Sequence, residues 1–272
     1  VIADTPPVNP PTPAPARSRR SGPLGLLLTL GAKGSKAVVL VKAALAAASF
    51  GLYSVVFTWQ FALLILISIF VHENGHIWAM KRCGMKTRGI YFIPFIGGAA
   101  IADSAFRSRR EEVFVAIMGP IWGLALALVS ALLYLVTRNA LWAAAAEWIA
   151  FINLFNLFPV NPLDGGRIVK SIAFSFHSWI GLGVMLLGFI AAFVAAVLFG
   201  YGLLVFVVAV GALEFAGEVG WRRRRLVKPP MRLPGILASS VSYVTLAAVL
   251  LGLMVLMGGQ PGAGLATSFL HS

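Results

Sequence analysis

Trp59-Gln60-Phe61-Ala62-Leu63-Leu64-Ile65-Leu66-Ile67-Ser68-Ile69-Phe70-Val71-His72-Glu73-Asn74-Gly75-His76-Ile77-Trp78-Ala79-Met80 is one almost unbroken apolar run. Coiled as an α-helix, about 20 such residues match the ~30 Å hydrocarbon core of a bilayer. Similar runs recur at 37–57, 113–137, 141–160, 179–199, 201–220 and 236–257. A soluble core does not need apolar stretches of that length repeated along the chain. Composition agrees: 59% of residues are hydrophobic, 11% are charged, and the mean hydropathy is +0.90. An average globular chain carries about 25% charged residues. The pattern predicts an all-α polytopic membrane protein with about six to seven transmembrane helices. The apolar segment near 89–100 is too short to span. Tyr91, Phe92, Ile93 and Phe95 have strand character and Gly97-Gly98 permits a turn, so this segment reads as a short re-entrant or β-hairpin-like piece.

The net charge of +13 follows the same layout. With seven spans, the basic residues before the first, after the second, before the third, after the fourth and after the sixth all fall on one side. Lys42 lies inside the first span, and Arg138 alone falls opposite. Cytoplasmic loops are the ones enriched in Lys and Arg, so the N-terminus is expected inside, in a cell inner or plasma membrane. The charge then reflects topology and contact with the lipid bilayer, and no nucleic-acid partner is expected. Pro6, Pro7, Pro10, Pro11, Pro13, Pro15 and Pro23 leave no apolar periodicity in the N-terminal segment. The expected organisation is a disordered Pro-rich cytoplasmic tail at 1–35, a transmembrane unit at 36–258 and a short tail at 259–272. Cys83, the single cysteine, excludes an internal disulfide framework.

His72, Glu73 and His76 stand out because they lie at membrane depth. A charged side chain at the centre of a spanning helix costs about 2.5–3.5 kcal/mol, so such residues mark function. Their spacing is H-E-x-x-H. Residues four apart share a helix face, so His72 and His76 can bind one metal together, and Glu73 flanks it where a general base must stand. A zinc site of this kind needs a third protein ligand. Asp164 is the first candidate. It closes Asn156-Leu157-Phe158-Pro159-Val160-Asn161-Pro162-Leu163-Asp164 at the end of the fourth run, on the same side as the two histidines. Pro159 and Pro162 break the helix there, and broken backbone at membrane depth is tolerated where protein or water satisfies it. Glu214 and Glu218 are the alternative third ligands. They also stand where they can meet basic residues, Arg222 lying four after Glu218.

His72-Glu73-Asn74-Gly75-His76, followed by Asn156-Leu157-Phe158-Pro159 and Leu163-Asp164-Gly165, resembles the site-2 protease family of intramembrane zinc metalloproteases. Phe92-Ile93-Pro94-Phe95-Ile96-Gly97-Gly98 and Gly119-Pro120 are also similar to family features, and the likeness covers roughly 55–170. Asn74 is polar where the family motif is often apolar or aromatic. Relatives often carry PDZ or CBS modules, for which this chain has no room. The resemblance implies one Zn²⁺ held by His72, His76 and Asp164, with Glu73 passing a proton from water to the leaving amine. It implies a single-span membrane protein as substrate, cut within its transmembrane segment. Asn156 is the candidate oxyanion donor or substrate contact, or else it hydrogen-bonds between helices as Asn153 would. Gly97 and Gly98 fall where an unwound substrate can pair with a strand edge, or where a plain interfacial loop would lie. A non-catalytic membrane binder that keeps the motif is the remaining alternative.

Overall fold

The computed structural model describes residues 35–56, 58–93, 97–199, 202–223 and 227–261. The Pro-rich tail, the connection 94–96, the Arg224-Arg225 part of the basic cluster and the end of the C-terminal tail lie outside the described residues. The elements are α1 (Ser35–Val56), α2 (Trp59–Arg82), β1 (Thr87–Ile93), β2 (Gly97–Ala102), α3 (Arg109–Thr137), α4 (Ala140–Asn156), α5 (Asp164–Phe176), α6 (Ser178–Phe199), α7 (Gly202–Arg223) and α8 (Leu233–Gly258). From Lys42 onward the described chain forms one compact unit.

Local chemistry explains the boundaries. The Thr58 hydroxyl accepts from the Phe61 amide at the start of α2, and Lys81 and Arg82 complement the dipole at its end. The Ser108 hydroxyl accepts from the Glu111 amide at the start of α3, with Glu111 and Glu112 in the first turn. After α4 the chain passes through Pro159 and Pro162, which cannot continue a helix, and restarts at Asp164. Asp164 is therefore the first residue of a separate 13-residue helix rather than an appendage of the fourth apolar run. The sequence reading had no element there. The reason is physical: α5 is only 13 residues long and carries Asp164, Arg167 and Lys170, so it forms no apolar run of spanning length although it is amphipathic.

Among the described residues, four helical segments are long and apolar enough to cross a membrane: 37–55, α2, α3 and α8. Ala140–Asn156 and Ser178–Val194 are apolar but shorter. α2, α3, α4 and α8 pack side by side around Val113, Ala116, Ile117, Ala145, Ile149, Ala150, Leu250 and Met254. The buried run Ala143–Ala146 brings α4 close to its neighbours, as small residues do between membrane helices. Large apolar side chains face outward instead, among them Leu63, Ile67, Phe70, Leu132, Leu135, Val241 and Val244. A surface that apolar suits lipid, not water.

The expected hairpin is present. β1 and β2 pair antiparallel from Ile93↔Gly97 to Thr87↔Ala102, with a bulge between Thr87 and Gly89. Gly89 sits at φ +87°, where a side chain would be strained. Arg88 and Asp103 form an ion pair at the open end of the hairpin. Lys42, the one cation inside the first apolar run, donates to Arg88 O at 2.6 Å and lies 4.6 Å from the centre of the Tyr91 ring.

Candidate metal centre

The i, i+4 spacing on α2 places the His72 and His76 rings on one face, 4.7 Å apart between centroids. Both are buried, as are Glu73 and Asp164. Asp164 Oδ2 lies 3.1 Å from His72 Nε2 and 3.2 Å from His76 Nε2, and the two Nε2 atoms are 3.0 Å apart. Three potential ligand atoms, from turns of the chain about ninety residues apart in sequence, thus make a nearly equilateral triangle.

The partners of the other ring nitrogens fix what this triangle holds. His76 Nδ1 stands 2.8 Å from Val115 O, which can only accept, so Nδ1 carries the proton. The Asn153 amide nitrogen donates to Ile149 O at 2.7 Å, so its Oδ1 is the atom turned to His72 Nδ1, at 2.8 Å. That Oδ1 accepts from His72 Nδ1. Both imidazoles, in this tautomer, present bare Nε2 lone pairs to each other and to a carboxylate oxygen. Three lone pairs converging at about 3 Å repel unless a cation lies among them. Tetrahedral zinc with ligands at about 2.0–2.1 Å sets its donors roughly 3.3 Å apart, close to the spacing found here. The donor set, one carboxylate and two imidazoles with oriented outer nitrogens, is also of the type that zinc takes.

α3 supplies the space. A Cβ built on Gly119 would fall against His76 Cε1 and Nε2 and 2.8 Å from His72 Nε2. One turn on, a Cβ on Gly123 would collide with the Asn153 amide. Gly119 and Gly123 therefore open α3 for the histidine pair and for the amide behind it. On the other side β2 lies over Glu73: a Cβ on Gly98 would stand 2.9 Å from Glu73 Oε1 and 2.7 Å from Ile69 Cγ2. The Glu73 carboxylate and the His72 and His76 ring nitrogens offer ligand atoms within 4.8 Å of one another. Glu73 makes no hydrogen bond or ion pair with a described residue, although it is buried. A buried carboxylate left so requires a water or ion beside it.

The remaining candidates fall elsewhere. The Asn156 amide donates to Ile152 O in its own helix at 3.2 Å, and the histidine contact belongs to Asn153. Gly97 begins β2 at φ +112°. Glu214 is bonded to Lys170 at 2.9 Å. Glu218 pairs with Arg109 of α3, not with Arg222, which stacks 4.3 Å above the Phe174 ring. These two glutamates serve a buried ion-pair network in which Glu112 also takes Lys228 at 2.7 Å and Lys170 at 3.4 Å. Of Asp164, Glu214 and Glu218, only Asp164 places its carboxylate at the imidazoles.

Residues 60–140, which contain the two histidines and Glu73, match the model of Peptidase family M50. The likeness to peptidase family M50 lies in this segment, which holds the metal-ligand candidates of α2 and the glycines of α3. The expected likeness to site-2 proteases thus holds. The chain is 31% identical over 173 residues to the putative zinc metalloprotease Rip3 of Mycobacterium tuberculosis, covering 59% of this chain and 43% of that one. It is 33% identical over 118 residues to zinc metalloprotease MJ0392 of Methanocaldococcus jannaschii, covering 40% and 33%. With stage IV sporulation protein FB of Bacillus subtilis the figures are 28% over 111 residues, 39% and 38%. The chain therefore spans less than half the length of these relatives. Four apolar helices of membrane-crossing length among the described residues mark it as an integral membrane protein.

Proposed function

We propose that this chain is a zinc endopeptidase that hydrolyses a peptide bond within the membrane-spanning segment of a single-span protein. The observation that carries the reading is the convergence of His72 Nε2, His76 Nε2 and Asp164 Oδ2 within 3.2 Å of one another, beside the unpartnered Glu73, inside an apolar helix bundle. His72, His76 and Asp164 would hold the zinc. Bound zinc supplies Lewis-acid polarisation of the scissile carbonyl and a water acidic enough to react at neutral pH. The relatives' names support the metal assignment, MJ0392 being named a zinc metalloprotease.

The chain's own residues do the rest. Glu73 takes a proton from the attacking water as its oxygen joins the carbonyl carbon, then returns that proton to the departing nitrogen as the C–N bond breaks. Asn153 and Val115 hold the two imidazoles in the tautomer that leaves both Nε2 atoms free. Asn156 is the proposed donor to the carbonyl oxygen or to the substrate backbone. A helical substrate hides its carbonyls in hydrogen bonds, so it must unwind, and the hairpin offers an edge beside Glu73 at Gly97 and Gly98. We place the protein as multi-pass, with its N-terminus in the cytoplasm of a cell whose inner or plasma membrane it occupies.

The test is cleavage of a model single-span protein by the purified chain in proteoliposomes. Cleavage should stop with a chelator and return with zinc, and Glu73→Gln should keep zinc yet not cleave. A metal-loaded wild type that never cleaves, or a Glu73→Gln variant that still does, contradicts the reading.

A further inference from the structure

Two of the helices long enough to cross a membrane, α3 and α8, run parallel and are tied at both ends. Where they begin, the Arg109 amide donates to Pro229 O at 3.2 Å; where they end, the Tyr134 hydroxyl donates to Gln260 Oε1 at 2.9 Å. Between them lies a groove of about 720 Å³. Val113, Ile117 and Met231, all buried, form its floor, with Phe114, Pro234 and Ala238 along it. The Met231 amide donates to Ser175 Oγ at 3.0 Å, which fixes the start of α8 against α5. The charges lining this groove have one sign. Arg110 and Arg232 stand exposed at its end, and no acidic residue lines it. Neither arginine makes a side-chain hydrogen bond, ion pair or ring contact with a described residue. The acids of the first turn of α3 are taken, Glu111 by Arg107 and Glu112 by Arg109, Lys170 and Lys228. Arg232 is also the N-cap of α8 without a capping side-chain bond, so the positive end of that helix adds to the same field.

Depth and charge together select the occupant. At about 1.5 Å per helical residue, α3 rises about 16 Å from Arg110 to Ile121, and α8 about 15 Å from Arg232 to Ser242. That is half of the ~30 Å hydrocarbon core, the reach of one leaflet. The groove is thus cationic where its two helices enter the membrane and apolar below. A phospholipid has the matching form, a phosphate above an acyl chain. Arginine's planar fork suits phosphate oxygens, and basic pockets between membrane helices take anionic headgroups. A second copy of this chain matches less well. Its Asp103, Glu111, Glu112, Glu214 and Glu218 are already paired with its own cations, so none of them is free for the two arginines.

We propose that the groove between α3 and α8 binds one anionic phospholipid, its phosphate at Arg110 and Arg232 and an acyl chain along Phe114 and Ala238. The test titrates the purified, delipidated full chain in detergent with phosphatidylglycerol or phosphatidylcholine of identical chains, counting bound lipid by native mass spectrometry. Glycerophosphoglycerol, the same headgroup without chains, is the third probe. Wild type should hold one phosphatidylglycerol at least about tenfold more tightly than phosphatidylcholine. Arg110→Gln with Arg232→Gln should weaken it roughly thirtyfold. Lys81→Gln with Lys86→Gln removes as much charge from exposed positions outside the groove and should leave binding within about threefold of wild type. Ala238→Phe keeps both arginines but fills the groove, and should also weaken the lipid. Equal affinity of wild type for the two lipids overturns the inference even if no variant folds. So does an equal loss in both glutamine pairs, which would mean diffuse surface charge, or wild-type binding by Ala238→Phe. Equal affinity for glycerophosphoglycerol would make the occupant a free phosphate ester rather than a lipid and overturns it too. None of these readouts needs cleavage or zinc, so they stand apart from the proteolytic reading.

Discussion

Gly119→Ala is the sharpest local perturbation the structure offers. The added methyl would stand 2.8 Å from His72 Nε2 and closer still to the His76 ring, where ordinary contact begins near 3.4 Å. Each ring edge must therefore retreat by roughly 0.6 Å or more. Neither is free to do so, because Asn153 and Val115 hold the opposite nitrogens at 2.8 Å. Metal sites tolerate about ±0.2 Å in ligand position, so zinc affinity should fall by about a hundredfold or more. Stability should move little. Overpacking costs about 1–3 kcal/mol, and alanine regains up to ~1 kcal/mol over glycine within a helix. The expected protein is folded and metal-poor. Zinc competition with a chromophoric chelator in detergent measures the affinity, circular dichroism the fold, and Gly252→Ala, whose Cβ meets nothing within 4 Å, is the control. Wild-type zinc affinity in Gly119→Ala would refute the placement of α3 against the histidine pair.

Three further outcomes are expected. Asn153→Leu, close in volume, leaves the His72 Nδ1 proton without its acceptor and should weaken zinc about 10–100-fold in the same competition; an unchanged affinity would show that the amide does not set the tautomer. Glu112→Gln strands the nearly buried Lys228 and takes one of two carboxylate partners from Lys170 and from Arg109. Losing the shared carboxylate should cost about 3–5 kcal/mol, seen as a melting point lower by about 6–20 °C in detergent, whereas unchanged melting would mean the network is solvated. Cys83, at the end of α2 beside Lys81 and Arg82, should react with an impermeant maleimide only from the cytoplasmic side. Burial first, then Glu111, pushes its thiol above the ordinary 9.0, with Arg107 opposing. Less thiolate therefore forms at a given pH, and labelling should keep quickening past pH 9; a plateau near pH 8, or labelling from the other face, contradicts this.

What could be read in the sequence was what lies close along the chain or has one strong signature. The His72–His76 spacing needs only the helical repeat, and apolar length alone marks α2, α3 and α8. Asp164 was reachable because it is a carboxylate at a broken helix end next to glycines. The reach failed where position depends on packing between distant segments. α5 was hidden because it is short and charged, and apolar runs of spanning length do not mark such a helix. Asn153 lies three residues before Asn156, and nothing local tells which amide turns toward His72; clearance at Gly123 decides it. Glu218 has a basic residue four positions on, the usual sign of a helical pair, yet Arg109 from α3 takes it. The hairpin was legible as a segment, but not the laying of Gly98 over Glu73. In each case sequence gave the residue and tertiary contact gave its partner.

The central claim is that His72, His76 and Asp164 share one metal ion. Metal analysis and X-ray absorption on the purified chain, beside Asp164→Ala and Glu214→Ala, test it most directly. The account predicts one zinc per wild-type chain with nitrogen and oxygen ligands at about 2.0–2.1 Å, retained in Glu214→Ala and lost or greatly weakened in Asp164→Ala. Full zinc with unchanged ligation in Asp164→Ala, or a loss confined to Glu214→Ala, would contradict it.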